Sequence, residues 1–72
     1  MLVAMVLNAI IERDLETGLL VGSVPGVPGA HTQGDSLDEI RANLVEVLQL
    51  LRDQGALNPE SEFVGTATLA IS

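Results

Sequence analysis

Chemistry in this chain has few places to reside. His31 is the sole histidine, there is no cysteine, and no serine stands in a G-x-S-x-G setting. Nucleophile–base pairs of the serine or cysteine type are therefore not available. His31 could serve alone as a general acid or base. Beside a Pro-Gly corner, it reads more simply as a hydrogen-bonded loop or strand residue. Asp35, Asp38 and Glu39, with His31 nearby, offer the oxygen ligands that hard divalent cations prefer. Their spacing matches no EF-hand loop, and helix capping accounts for Asp35 and Glu39 without a metal. A third group, Glu12, Asp14 and Glu16, alternates so that all three would point one way if the strand continued through them. It reads as a solvated hairpin tip or as a contact for a basic partner. The chain has no GxGxxG, no P-loop and no paired-cysteine site. The expectation is a binding protein, not an enzyme, with no cofactor and no metal.

The charge narrows the partners. Ten Asp and Glu oppose three basic residues, all arginine, giving a net charge of −7 on 72 residues. Such a body repels phosphate backbones and anionic lipid and attracts basic surfaces. Phe63 is the single aromatic residue, so no stacking platform for bases exists. Direct nucleic-acid binding is not expected. The apolar stretch over residues 1–11 falls short of the roughly 20 residues that cross a bilayer. Glu12, Arg13 and Asp14 follow it where a signal peptide would have small residues. A cytoplasmic, membrane-free protein is the expectation, and residues 1–72 are read as a single domain.

These side chains need elements to hold them. Residues 2–13 read as a strand with Val3, Met5, Leu7, Ala9 and Ile11 on one face, and a helix is the competing reading for so short an apolar run. A turn over 14–18 leads to a second strand over 19–24, making a hairpin. Pro25-Gly26-Val27-Pro28-Gly29 provides two type II turn signals in succession. Residues 30–33 form a third strand closed by Gly34. Ser36 and Glu39 are spaced as a capping box, and Asp35, Asp38 and Glu39 supply negative charge where the helix dipole favours it. Leu37, Ile40, Leu44, Val47, Leu48 and Leu51 recur at the 3–4 spacing of one buried face. Arg52 lies in the last turn and Gly55 at the position of a terminating C′ glycine. After a loop at 58–61, residues 62–72 read as a final strand. Phe63, Ala67, Leu69 and Ile71 lie on one face, with Thr66, Thr68 and Ser72 on the other. The order is β-β-β-α-β, an α+β domain with one helix packed on a small sheet.

Within this frame, residues 24–39 resemble the HicB-type antitoxin family. That family is typified by P-x-x-P-G and then T-x-G-D-[ST]-x-x-E opening an amphipathic helix. Pro25, Pro28, Gly29, Thr32, Gly34, Asp35, Ser36 and Glu39 fall on the pattern. The resemblance implies a partial RNase H-like fold without a working nuclease site. It further implies a part in bacterial toxin–antitoxin modules, binding and occluding a HicA-type toxin: a small basic ribonuclease with a catalytic histidine. Leu20 and Val21 stand where the family often has an aromatic residue, and Ile40 where it often has alanine. Many members continue into an operator-binding domain; the chain ends at Ser72, so that role is not carried over.

Two functions follow as expectations. The first is an antitoxin-like domain that docks on a basic toxin, with Glu12, Asp14 and Glu16 as candidate contacts. The alternative is a stand-alone HicB-like homo-oligomer with a regulatory or ligand-binding role. Either way a homodimer or higher homo-oligomer is expected, because a 72-residue chain without disulfides has a thin core. One helix also covers only one face of a first strand that is apolar on both.

Overall fold

The structure is a computed structural model describing residues 5–72. Three short strands, β1 (Ile10–Arg13), β2 (Leu20–Ser23) and β3 (His31–Gly34), precede one long helix, α1 (Leu37–Asp53). The strands form an antiparallel sheet in the order β1-β2-β3. The architecture is α+β, with the helix packed across β2 and β3.

The hairpin between β1 and β2 is built by Asp14. Its Oδ1 accepts the backbone N–H of Glu16 at 2.8 Å and of Thr17 at 3.4 Å. Its own backbone N–H donates to Leu19 O at 2.8 Å and its carbonyl accepts from Gly18 N at 2.7 Å. This is the local side-chain-to-backbone bonding that makes Asp a turn residue. Arg13 Nη1 adds a bond to Gly18 O at 2.7 Å.

The double Pro-Gly segment behaves as the turn chemistry dictates. Val27 N donates to Val24 O and Ala30 N to Val27 O, each at 3.2 Å, with Gly26 at φ 81° and Gly29 at φ 84°. Val24 N closes the loop on Ala30 O at 2.9 Å. Two three-residue steps bring Val24, Val27 and Ala30 to the interior, where they form the core with Ile40 and Leu44 of α1. Leu7, Leu20, Leu48, Leu51 and Leu57 pack around that centre.

The sheet register divides the strands into two faces. Ile11 pairs with Gly22, which pairs with Thr32. A Cβ built on Gly22 would lie 2.5 Å from Ile40 Cγ2, so this row faces the helix. The alternate rows, Ile10–Ser23–His31 and Glu12–Val21–Gln33, lie on the open face.

Ser36, in extended conformation, is the N-cap of α1, and Gly55, φ 68°, follows the C-cap Gln54. Ala56 N bonds Leu51 O at 2.7 Å and Gly55 N bonds Arg52 O at 3.0 Å. That pair is a Schellman motif with Gly55 at C′.

Four expectations need correction. The first strand is paired only over Ile10–Arg13: residues 5–9 run outside the ladder, and the part of that prediction falling on residues 1–4 lies outside the described residues. Glu12, Asp14 and Glu16 do not share a strand face, because the strand ends at Arg13 and the chain turns. Leu37 is 60% exposed, and the buried residues of α1 begin with Ile40, which packs at Gly22 of β2. The fourth strand is not formed among the described residues: 62–72 carry no strand pairing, with Val64, Leu69 and Ile71 at 92%, 85% and 98% exposure. Alternation creates a strand only where a neighbouring edge accepts its backbone, and here the tail leaves the body. The radius of gyration, 13.9 Å, accordingly exceeds the roughly 11 Å of a compact chain this long.

Candidate functional site

The register gathers the acidic groups. Arg13 pairs with Leu20 and Leu20 with Gly34, so the hairpin tip and the start of α1 lie at the same end of the sheet. Glu12, Asp14 and Glu16 come to that end from the hairpin; Asp35, Asp38 and Glu39 come from the helix start. All six are exposed, and they are six of the chain's ten carboxylates. Among the described residues the single ion pair is Arg52–Asp53, 3.4 Å apart at the far end of the helix. The acidic end therefore carries six carboxylates that no cation among the described residues neutralises by direct pairing.

Two of the six have structural work as well. Asp14 organises the hairpin, as described. Glu39 folds back at the helix start: its Oε2 accepts from Asp35 N at 3.0 Å, while its own N–H donates to Ser36 Oγ at 3.2 Å. The capping box is thus present with its return bond shifted one residue, to Asp35 instead of Ser36. Gly34 makes room for it. A Cβ on Gly34 would stand 2.9 Å from Glu39 Cδ and 3.2 Å from Oε1. Glu12, Glu16 and Asp38 have no such bond among the described residues and are free to meet a partner.

The remaining motif residues serve the scaffold. Pro25, Pro28 and Gly29 set the two turns, and Thr32 sits partly buried on the helix-facing side of β3. His31 is exposed on the open face, opposite Ser23. Asp35 lies four residues on, about 13 Å along extended chain, so the structure does not bring His31 to the carboxylates. Among the described residues no three His, Asp or Glu side chains cluster closely enough to hold a metal ion. None of the helices described is long and apolar enough to cross a membrane.

Two contacts escaped the sequence reading. Gly22 is the point where α1 crosses the sheet, and Gly26 is where the post-helix segment crosses the turns. Glu60 N donates to Gly26 O at 2.6 Å, and a Cβ on Gly26 would collide with the Ser61 backbone. A glycine in a strand without an apparent turn role was the available signal for Gly22.

Comparison with known proteins gives relatives along most of the chain. It is 53% identical over 49 residues to a UPF0150 protein of Thermotoga maritima, an alignment covering 68% of this chain and 65% of that one. It is 36% identical over 62 residues to UPF0150 proteins of Synechocystis sp. and of Archaeoglobus fulgidus, covering 86% of this chain and 88% of each relative. The chain thus spans just under two thirds of the Thermotoga protein's length and most of the other two. No family model and no solved structure matches. At this identity and coverage, the chain belongs to the UPF0150 family.

Proposed function

We propose that this domain is an antitoxin-like protein-binding module whose acidic end docks on a small basic ribonuclease of the HicA type and occludes its active site. The observation that carries the reading is the convergence of six exposed carboxylates at one end of the sheet, with no ion pair among them in the described residues. An end of one sign of charge attracts a cationic partner and speeds its encounter. The resemblance in residues 24–39 supplies the kind of partner and relates the β-β-β-α core to a partial RNase H-like fold. The reading gives His31 no catalytic part and places the domain in the cytoplasm, where such a toxin acts.

The test is association with a purified HicA-type toxin, inactivated at its catalytic histidine, measured across a salt series. A complex that weakens steeply with salt is expected, together with protection of RNA from the active toxin. The triple change Glu12→Gln, Glu16→Gln, Asp38→Asn should slow association about tenfold or more. It leaves Asp14 and Glu39 in place and so spares the fold. Absence of binding at low salt would refute the reading, as would binding that this variant leaves unchanged.

A second reading, a stand-alone homo-oligomer with a regulatory or ligand-binding role, is favoured by the large aliphatics exposed away from the acidic end. Met5, Val6, Val45, Leu69 and Ile71 are all open to solvent. Such groups collected on a small domain mark an interface.

A further inference from the structure

The outer edge of the sheet and the chain's own tail have complementary defects. Beyond Glu60, whose N–H bonds Gly26 O, no backbone hydrogen bond joins the tail to the body among the described residues. Phe63 is half-buried, lining a cavity of about 390 Å³ with Val6, Leu7 and Asn8. Past it the chain is almost wholly exposed to Ser72.

Those last residues are not those of a solvated linker. Residues 63–72, FVGTATLAIS, contain no charged side chain, although 18% of the chain's residues are charged. Val64, Thr66, Thr68 and Ile71 are β-branched and favour extended backbone, and Leu69 and Ile71 fall on the face that Phe63 begins. An uncharged, alternating segment held open to water has the composition of a strand lacking its sheet.

The body has the matching vacancy. β1 is an edge strand, and residues 5–9 continue from it unpaired. The C-terminal half of α1 overhangs this side. Between the helix and residues 5–7 lies an open groove of about 780 Å³, walled by Met5, Val6, Leu7, Val45, Leu48 and Leu57 among others. A strand laid beside residues 5–11 would meet free backbone groups on one side and place alternate side chains in that groove. Seven residues of strand span roughly 23 Å, within the roughly 30 Å that nine extended residues reach.

We propose that two copies of this chain exchange their tails, residues 64–72 of each adding as a strand to the outer edge of β1 and residues 5–9 of the other. Charge selects this occupant. Two bodies of −7 repel one another, and the exposed tail can approach without bringing a charged side chain. Reciprocal exchange closes the assembly at two chains, the commonest symmetric outcome. The inference is independent of the toxin reading, because it uses none of the acidic end.

Sedimentation equilibrium of the full chain tests it, read with far-UV circular dichroism. At micromolar concentration the mass should be twice 7.5 kDa. Leu69→Asp and Ile71→Asp alter side chains that touch almost nothing within one chain, yet each should raise the dimer dissociation constant about 100-fold, since an unpaired carboxylate would enter an apolar groove. A wild-type monomer would overturn the proposal, and so would a dimer whose affinity neither substitution changes. A photo-crosslinking phenylalanine analogue at position 69, in a mixture of isotopically heavy and light chains, supplies a readout that does not depend on the variants' folding. Heavy–light adducts mapping to residues 5–13 are expected. Adducts confined to single chains would show that the tail folds back on its own body.

Discussion

Gly22→Ala is the most informative single change for the packing of this domain. A Cβ at this position would sit 2.5 Å from Ile40 Cγ2 and 3.2 Å from Leu44 Cδ1. Ile40 is fully buried and Leu44 nearly so, so neither can swing into solvent, and the helix must lift or Ile40 must leave its rotamer. Overpacking of this kind costs about 1–3 kcal/mol. Against it stands a gain of about 0.5–1 kcal/mol, because alanine loses less backbone entropy than glycine. Backbone geometry adds nothing, since Gly22 is not among the positive-φ glycines. The net loss expected is therefore centred on about 1 kcal/mol and reaches about 2.5 kcal/mol, large against the roughly 3–5 kcal/mol available to so small a core. Ile40→Leu isolates the cause. Leucine has nearly the same volume but no Cγ2, so the atom that collides is gone, at a cost below about 1.5 kcal/mol. In that background Gly22→Ala should be close to neutral, giving a coupling of about 1 kcal/mol or more. Urea denaturation followed at 222 nm is the assay, because the chain has no tryptophan. If Gly22→Ala costs nothing in the parent, or costs the same in both backgrounds, then α1 does not cross the sheet at Gly22.

Ser36→Ala removes the hydroxyl that accepts from Glu39 N and should lower stability by about 0.5–2 kcal/mol in the same melts. Gly29→Ala forces a side chain onto a φ of 84° and should cost about 1 kcal/mol or more, although the nearest atom to its Cβ is a tolerant 4.0 Å away. His31→Ala should leave both the melt and the level of RNA cleavage by the purified chain unchanged, with or without magnesium. A metal-dependent cleavage that vanishes with His31 would make the protein an enzyme. A gel shift with DNA near physiological salt should be blank for a lysine-free chain of this charge.

What could be read from the sequence was local chemistry. The two Pro-Gly turns, the Ser36 cap, the Gly55 stop and the helix between them each depend on residues within a few positions of one another, and all are found. What could not be read depends on partners distant in sequence. Gly22 is defined by Ile40, Gly26 by Ser61, and neither spacing follows a period. The alternation in residues 62–72 is genuine, but a strand requires a paired edge as well as a pattern, and among the described residues the tail pairs with none. The acidic group was legible only in part. The sequence spacing places Glu12, Asp14 and Glu16 on the hairpin, while capping accounts for Asp35 and Glu39 and the helix dipole for Asp38. Their union appears only when the register sets Arg13, Leu20 and Gly34 side by side.

That register also bears on whether the two proposed contacts can coexist. The carboxylates crowd the hairpin tip and the first turn of α1, whereas the groove lies along its last turns, near Arg52 and Leu57. Seventeen helical residues separate the ends by about 25 Å, some three Debye lengths at physiological salt. A cationic partner at one end would thus leave the tail's groove uncovered, and the two contacts would answer to different variables. Association through the acidic end should weaken as salt screens it. Strand exchange through an uncharged tail should instead hold or tighten, because salt relieves the repulsion between two bodies of −7. A partner complex that falls apart with salt around a dimer that does not is the behaviour this division of charge requires.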